Sequence, residues 1–151
     1  MYSISALYKF HSIEDANKIH NLIRKELKDL DIKGTILVGS EGINGTISSI
    51  CPKKLSNAIE YIKSIEGFKN IDIKYSFSKI NPFVRLKVKL KKEIVTIGDD
   101  SIDPNLISGD YVDPKDWNEI IDDENVLLID TRNHYECSIG SFKNSINPNT
   151  T

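Results

Sequence analysis

Apolar side chains recur with two different periods along the first 80 residues, and the order of these periods limits the folds open to the chain. Residues 2–10 alternate and carry β-branched and aromatic side chains, which is typical of a strand. After them, apolar residues recur at helical spacing for about five turns. The apolar face of this helix consists of Ala16, Ile19, Ile23, Leu27 and Leu30. Ser12 is expected to cap the helix, with Asp15 in the reciprocal third position.

Two short apolar runs follow the helix and predict a β-hairpin. They cover residues 34–38 and 45–50, and Asn44-Gly45 between them supplies a positive φ at little cost. Pro52 then suits the first position of a second helix. The apolar stripe of that helix is Leu55, Ala58, Ile59, Ile62 and Ile65.

A fourth strand over residues 70–77 completes the order βαββαβ. This order describes a ferredoxin-like sandwich, in which two helices cover one face of a four-stranded sheet. We therefore predict an α+β fold, with the ferredoxin-like domain over residues 1–80.

The segment after Asn81-Pro82 alternates between apolar and cationic residues. The apolar positions are Val84, Leu86, Val88 and Leu90, and the cationic positions are Arg85, Lys87, Lys89 and Lys91, followed by Lys92. Alternate side chains on a strand lie about 7 Å apart on one face, so a nucleic-acid backbone could lie along this stripe. Lysines on an exposed edge strand also deter aggregation, and the alternation alone does not separate the two interpretations.

The net charge of −2 conceals two segments of opposite sign. Residues 1–92 carry 17 Lys and Arg against 9 Asp and Glu, whereas residues 93–151 carry 3 against 13. A basic front segment favours a polyanionic partner, although lysine also serves solubility. The ordinary composition, 39% hydrophobic and 28% charged, excludes collagen-like and wholly disordered chains.

Several features predict a cytoplasmic protein with no membrane segment. No run of 18 apolar residues occurs, and the first residues lack the basic and apolar regions of a signal peptide. Cys51 and Cys137 form no disulfide framework or zinc motif. His11, His20 and His134 lie on separate predicted elements, so no metal site is predicted, and no cofactor motif is evident.

Residues 81–110 combine the basic strand with an acidic, turn-rich linker. A second domain is expected after them, over residues 111–151. Asp113-Pro114 predicts a helix start, and residues 126–129 predict a fully apolar strand. A helical piece near Tyr135 and Glu136 and a strand start at residues 145–147 follow. A fully apolar strand is normally covered on both faces of its sheet, and residues 111–151 supply too few elements for that cover. This α/β domain is therefore expected to be incomplete.

Two pairs of polar residues are candidates for a pocket. Glu41 and Asn44 lie in a glycine-bearing hairpin loop and could face a base edge, although a single loop acid is usually solvated. Asp130 and Arg132 follow a buried strand, where ligand crevices form. Asp130 could instead cap the next helix, and Arg132 could pair with an acid such as Glu136.

Aromatic residues near the basic strand are a further possibility. Tyr75, Phe77 and Phe83 could stack unpaired bases, but the first two alternate as core residues of a strand would. Core positions are therefore the preferred interpretation of Tyr75 and Phe77.

Three strings together identify a family resemblance. They are GTILVGSEGINGTI at 34–47, NPFVRLKVKLKKEIVTIG at 81–98 and YVDPKDWNEIIDDENVLLIDTRNHYECSIGSF at 111–142. With this spacing they resemble the rhodanese-domain-containing tRNA uridine hydroxylases. The resemblance implies a ferredoxin-like domain followed by the start of a rhodanese domain.

The resemblance also implies a reaction, in which carbon 5 of the wobble uridine of tRNA is hydroxylated with molecular oxygen as co-substrate. The expected partner is the anticodon arm of tRNA. The family's cysteine loop would lie beyond residue 151, so no catalytic residue is assigned in this chain, which is expected to bind tRNA rather than catalyse. The alternatives are a rhodanese-type sulfurtransferase and a non-catalytic RNA-binding remnant. The oligomeric state is not predicted.

Overall fold

The computed structural model of this chain describes residues 1–95 and 109–148. The strands are β1 (Tyr2–Phe10), β2 (Lys33–Gly39), β3 (Gly42–Ser49), β4 (Asp72–Ser78) and β5 (Leu86–Leu90), and the helices are α1 (Ala16–Leu27), α2 (Pro52–Ser64), α3 (Trp117–Ile121) and α4 (His134–Ile139). The chain divides into two compact units, Met1–Ser108 and Gly109–Thr151. Residues 96–108, which hold most of the predicted acidic linker, lie outside the described residues. No helix in the two described ranges is long and apolar enough to cross a membrane.

All five strands belong to one sheet, in the order β4-β1-β3-β2-β5. β1 pairs antiparallel with β3 and β4, and β2 pairs antiparallel with β3. With α1 and α2, these four strands form the ferredoxin-like arrangement, so the predicted α+β fold is confirmed. The basic strand β5 pairs parallel with β2 and forms one edge of the same sheet.

Both helices of the first unit pack on one face of the sheet. The side chains buried between them, each at most 3% exposed, are Leu7, Ile36, Val38, Ile43 and Ile47 from the strands and Ile23, Leu27, Leu55, Ala58, Ile59 and Ile62 from the helices. Burial of each large aliphatic side chain contributes about 1.5–3 kcal/mol. The two apolar stripes predicted from helical spacing therefore supply the core, and α2 begins at Pro52 as predicted.

The helix α1 begins later than the sequence predicts. Asp15 is its cap, because Asp15 Oδ1 accepts a hydrogen bond from Lys18 N at 2.9 Å. Before it, Ile13 N donates to Ser40 O at 2.7 Å, which ties the chain to the hairpin. The expected cap at Ser12 is therefore wrong.

The β2–β3 hairpin also turns at a different place. Gly39 pairs with Gly42, and the two residues between them form the connection. Gly42 has a φ of 148°, and a Cβ there would overlap Lys9 O of β1, so this position requires glycine. The turn expected at Asn44-Gly45 is wrong, because both residues lie within β3.

Two chain segments cross the other face of the sheet as they enter and leave β5. On entry, Ser48 Oγ donates to Asn81 Oδ1 at 2.9 Å. On exit, the buried Ile94 lies so close to Gly39 that a Cβ there would meet Ile94 Cγ2 at 3.2 Å. We call this side of the sheet the open face, because α1 and α2 pack on the opposite side. Its side chains are Ile4, Ala6, Tyr8 and Phe10 of β1, Thr35 and Leu37 of β2, Asn44 and Thr46 of β3, Asp72 and Lys74 of β4, and Lys87 and Lys89 of β5.

In the second unit, the predicted strand over residues 126–129 is reduced to a single bridge. Ile129 pairs in parallel with Ile146, flanked by hydrogen bonds from Asp130 N to Ile146 O and from Ile146 N to Leu128 O, both 2.9 Å. The apolar run has one pairing neighbour in the described residues, and an isolated pair of strands outside a larger sheet is only marginally stable.

The helices of the second unit are short. Asp116 N donates to Asp113 O at 2.9 Å, which forms a turn before α3 begins at Trp117. A helix start at Asp113-Pro114 is therefore wrong. The Trp117 ring stacks on Phe142, with centroids 5.3 Å apart. The helical piece near Tyr135 and Glu136 is confirmed as α4.

We expect hydrogen exchange to separate the two units. Within residues 109–148 no hydrophobic side chain is buried, so their amides should exchange within about tenfold of the unprotected rate, since opening of such regions costs almost no free energy. The amides of β1, in the middle of the sheet, should be protected by global stability. Mass spectrometry of the exchanged peptides measures both, and equal protection of the two units would contradict the expectation.

Candidate nucleic-acid interface

One row of side chains crosses the open face from edge to edge. The register aligns, in order, Lys74, Ala6, Thr46, Thr35 and Lys87. Small side chains therefore occupy the middle of the row, and a lysine stands at each edge. Since neighbouring strands lie about 4.8 Å apart, the Cα atoms of the two lysines are about 19 Å apart.

The next row toward the hairpin contains an aromatic residue. It consists of Asp72, Tyr8, Asn44, Leu37 and Lys89. The half-buried Tyr8 ring meets Phe10 edge to face, with centroids 5.1 Å apart. Tyr8 follows the core residue Leu7 in an alternating strand and therefore faces away from the helices.

Lys87 and Lys89 both lie on the open face, because Leu86 and Val88 pack against the core on the helix side. Both lysine side chains are exposed. Among the described residues, no carboxylate forms an ion pair with either of them. The structure thus gives this end of the open face two uncompensated positive charges.

The other three cationic candidates flank the strand rather than lie within it. Arg85 precedes β5, and its carbonyl accepts a hydrogen bond from Gly34 N at 3.2 Å. Lys91 and Lys92 follow β5 and are exposed like Arg85. The five predicted RNA-binding residues therefore form one exposed basic segment, and of these five only Lys87 and Lys89 lie within the strand β5.

The aromatic candidates of β4 lie elsewhere. Tyr75 and Phe77 pair with Ser5 and Ser3 on the helix side of the sheet, far from β5. They are 65% and 69% exposed, so the core positions preferred for them are wrong. The reason is that α2 lies over β1 and β3, so that Ile73 of β4 packs against the core while Tyr75 and Phe77, farther along the strand, are left exposed. Phe83 is half-buried in the segment that leads into β5.

Glu41 and Asn44 anchor the segment that leaves β5. Glu41 Oε1 accepts hydrogen bonds from Ile94 N at 2.5 Å and Val95 N at 3.3 Å. Asn44 Nδ2 donates to Ile94 O at 3.4 Å. Both residues therefore hold the segment after β5 against the hairpin. That they also line a ligand pocket stays a prediction.

Asp130 and Arg132 form a two-pronged ion pair in the second unit. Arg132 Nε donates to Asp130 Oδ1 at 2.9 Å, and Nη2 donates to Oδ2 at 2.6 Å and to Gly140 O at 2.8 Å. These bonds hold the pKa of Asp130 well below its usual range. Arg132 thus pairs with Asp130, while Glu136 Oε2 accepts from Asn133 Nδ2 at 2.9 Å.

Cys137 lies beside the Asp130–Arg132 pair, and Cys51 directly precedes α2. Cys51 and Cys137 are both free thiols. Cys137 Sγ accepts a hydrogen bond from Asn147 Nδ2 at 2.8 Å. Within residues 1–95 and 109–148, no three His, Cys, Asp or Glu side chains come together as metal ligands.

Comparison with known proteins relates the first unit to one family. The model of the UPF0176 acylphosphatase like domain matches residues 2–94. Among solved structures, an acylphosphatase from Bacillus subtilis is similar, with a TM-score of 0.46 and 13% identity over 59% of this chain and 99% of that one.

Two further structures are similar at the same level. A bacterial light-regulated adenylyl cyclase matches with a TM-score of 0.46 and 19% identity, over 62% of this chain and 30% of that one. An acylphosphatase from Coxiella burnetii matches with a TM-score of 0.40 and 10% identity, over 58% and 90%. Similarity at this level transfers no activity to this chain.

We expect Glu41→Ala to loosen the segment after β5. Hydrogen bonds to a charged acceptor contribute about 1.5–3 kcal/mol, so the free energy of unfolding in urea should fall by about 1–3 kcal/mol, and the Ile94 amide should exchange faster. Glu14→Ala, at an exposed acid, is the control and should change neither quantity. Unchanged exchange at Ile94 would mean that Glu41 does not hold this segment.

We expect the Asp130 carboxyl to titrate below the ordinary aspartate range in a carbon-13 NMR titration. Because its pKa is lower in the folded chain than in the unfolded one, its contribution to stability is full above pH of about 4 and is lost as the pH falls through the lowered value. Arg132→Gln should return the pKa toward the ordinary range. Lys115→Gln, which removes a cation paired with Asp113, should leave it unchanged, and an equal effect of both variants would contradict the assignment.

Proposed function

Because the chain belongs to the UPF0176 family, whose acylphosphatase-like domain matches residues 2–94, we propose that this domain binds the anticodon arm of tRNA. The resemblance of its motifs to the tRNA uridine hydroxylases extends the proposal to a reaction, the oxygen-dependent 5-hydroxylation of the wobble uridine. In this proposal the first unit holds the tRNA. The reactive cysteine belongs to the rhodanese part of the family protein, and neither Cys51 nor Cys137 takes that role.

The observation that carries the proposal is that the side chains of Lys87 and Lys89 both lie on the open face of the sheet. Two exposed ammonium groups without carboxylate partners among the described residues are available to phosphates. Phosphate contacts by lysine and arginine supply most of the sequence-independent affinity for nucleic acids. Arg85, Lys91 and Lys92 extend the positive charge beyond both ends of the strand.

The charge of the whole segment supports the same partner. Residues 1–92 carry 17 basic against 9 acidic side chains, and a positive field of this kind raises the rate at which a polyanion is captured. Binding of this origin weakens steeply with salt. The affinity for tRNA should therefore depend strongly on ionic strength.

Edge protection explains less of what is observed. Lysines that only deter strand pairing need to interrupt the free edge of β5. Lys87 and Lys89 also lie in rows with Thr35 and Leu37, and a third lysine, Lys74, lies at the far edge of the row that contains Lys87. Lysines at both edges of the sheet favour a ligand that carries negative charge.

We expect Lys87→Glu combined with Lys89→Glu to weaken tRNA binding and to flatten its salt dependence. Each phosphate contact that is lost lowers the slope of log K against log salt by about 1, so the slope should fall by about 2. Filter binding or fluorescence anisotropy between 50 and 200 mM salt, on the order of the range used for such slopes, gives the measurement.

The matched control is Lys18→Glu combined with Lys53→Glu. These exposed lysines lie in the first turns of α1 and α2, on the other side of the sheet, where a carboxylate also suits the helix dipole. The control changes the net charge by the same amount. If both double variants weaken binding equally, only net charge matters, and if neither does, the lysines of β5 protect an edge.

A further inference from the structure

We propose that two copies of this chain associate through the outer edge of β4, so that two five-stranded sheets form one continuous sheet around a twofold axis. This goes beyond the proposed function and concerns the edge of the sheet opposite to β5. It follows from the exposure of β4, from the obstruction of β5, and from a side-chain pattern of β4 that complements itself.

The outer edge of β4 is available for pairing. β4 bonds to β1 along one edge, and within residues 1–95 and 109–148 no strand pairs with its other edge. Tyr75 and Phe77 are 65% and 69% exposed there. The strand contains no proline or glycine, and its only charged residues are Asp72 and Lys74. Since proline and repeated charge are what normally block an edge, β4 can template a further strand.

The opposite edge of the sheet is obstructed. Arg85 O and Lys91 N bond to β2, so the backbone groups of the alternate residues, Val88 among them, face away from β2. His20 of α1 occupies one of these groups, because His20 Nε2 donates to Val88 O at 3.1 Å. Two β5 strands paired with each other would also bring lysines of the two copies opposite one another. In the described part of the chain one edge is therefore left for pairing, and pairing through one edge closes at two copies.

A twofold axis perpendicular to the sheet determines which side chains meet. Such an axis keeps the helices of both copies on one face and pairs the two β4 strands antiparallel. Residues that lie opposite one another must then share a face, so each possible register is centred on a single residue that meets its own copy. β4 offers few centres, since it contains seven residues.

Aromatic and charged side chains favour the register centred on Ser76. In this register Tyr75 of each copy lies opposite Phe77 of the other, which forms two aromatic cross-strand pairs on the helix side. Lys74 lies opposite Ser78 of the second copy, so no two charges of one sign face each other. A register centred on Lys74 would place the two lysines opposite one another, and one centred on Tyr75 would place them diagonally. The register centred on Ser76 thus pairs both rings and keeps the lysines apart.

The rings supply most of the apolar surface that this association buries. A buried aromatic side chain covers about 150–250 Å², so four rings that are each about two-thirds exposed offer about 400–650 Å². The paired strand edges add to this area, and the total lies in the range of small, reversible interfaces, below about 1,200 Å². We therefore expect a dimer with a dissociation constant on the order of 1–100 µM.

The paired sheet keeps the two basic strands apart. β5 lies at the edge of each sheet opposite to β4, so Lys87 and Lys89 of both copies lie at the two outer ends, on the same face. The association therefore leaves the proposed tRNA contact uncovered, and either proposal can fail without the other.

The first test is the oligomeric state of the 151-residue chain. Sedimentation at about 1 µM and about 200 µM spans the expected affinity. We expect a monomer at the lower concentration and a dimer at the higher one. A monomer throughout would overturn the proposal. Assemblies that keep growing beyond two copies would overturn it as well, since one free edge in each chain cannot produce them.

The second test removes the rings. Tyr75→Ser combined with Phe77→Ser should raise the dissociation constant by at least about tenfold, because buried aromatic anchors carry much of the energy of an interface. Ile50→Ser combined with Val84→Ser is the matched control, since it removes two exposed apolar side chains outside β4, and it should leave the constant unchanged. An unchanged constant in the β4 variant, or an equal rise in both variants, would mean that the contact lies elsewhere and that the proposal is wrong.

The third test identifies the register, and it decides the matter if the ring variant loses its fold. Cys51→Ser and Cys137→Ser first remove the native thiols. In that background Ser76→Cys places a thiol opposite its own copy, at a Cα separation of about 4.5–5.5 Å that a disulfide can span. We expect a covalent dimer under mild oxidation. Lys74→Cys should stay monomeric, because the two copies of this residue lie about 14 Å apart along the strands. Equal cross-linking at both positions, or none at Ser76→Cys, would overturn the pairing.

Discussion

The parallel pairing of β5 with β2 determines the direction in which the charged side chains of β5 point. Its register puts Lys87 beside Thr35 on the open face. A slip of one residue would turn Lys87 and Lys89 toward α1, where Leu86 and Val88 pack against the core. Burial of two unpaired ammonium groups would cost several kcal/mol each. The hydrophobic contact of this one short strand with the core therefore fixes the direction of its charges.

Periodicity predicted the elements of the fold, but it did not predict their ends. An alternating pattern needs only local sequence, and β1 covers the predicted residues 2–10 in full. The cap of α1 depends on where the preceding chain is held, and the bond from Ile13 to Ser40 supplies that constraint from the hairpin. Gly42 likewise needs its conformation because Lys9 of a neighbouring strand lies against it. Both are long-range contacts, which spacing along the chain does not report.

The same limit applies to the candidate site. The alternation in β5 was enough to predict that Lys87 and Lys89 share a face, since that follows from the pleat alone. The bonds of Glu41 to Ile94 could not be predicted, because 53 positions separate the two residues. The direction of Tyr8 could also be predicted, since it alternates with the core residue Leu7 along β1.

The open face and the basic strand arise from the same contacts. β5 lies at the edge opposite β4, so the chain must cross the sheet to reach it. That crossing is fixed where Ser48 bonds to Asn81, and the exit is fixed where Glu41 and Asn44 bond to Ile94. These bonds thus deliver the lysines to the edge. A sequence that kept the lysines but lost these anchors would keep its charge and lose the fixed position of β5 at the edge of the sheet.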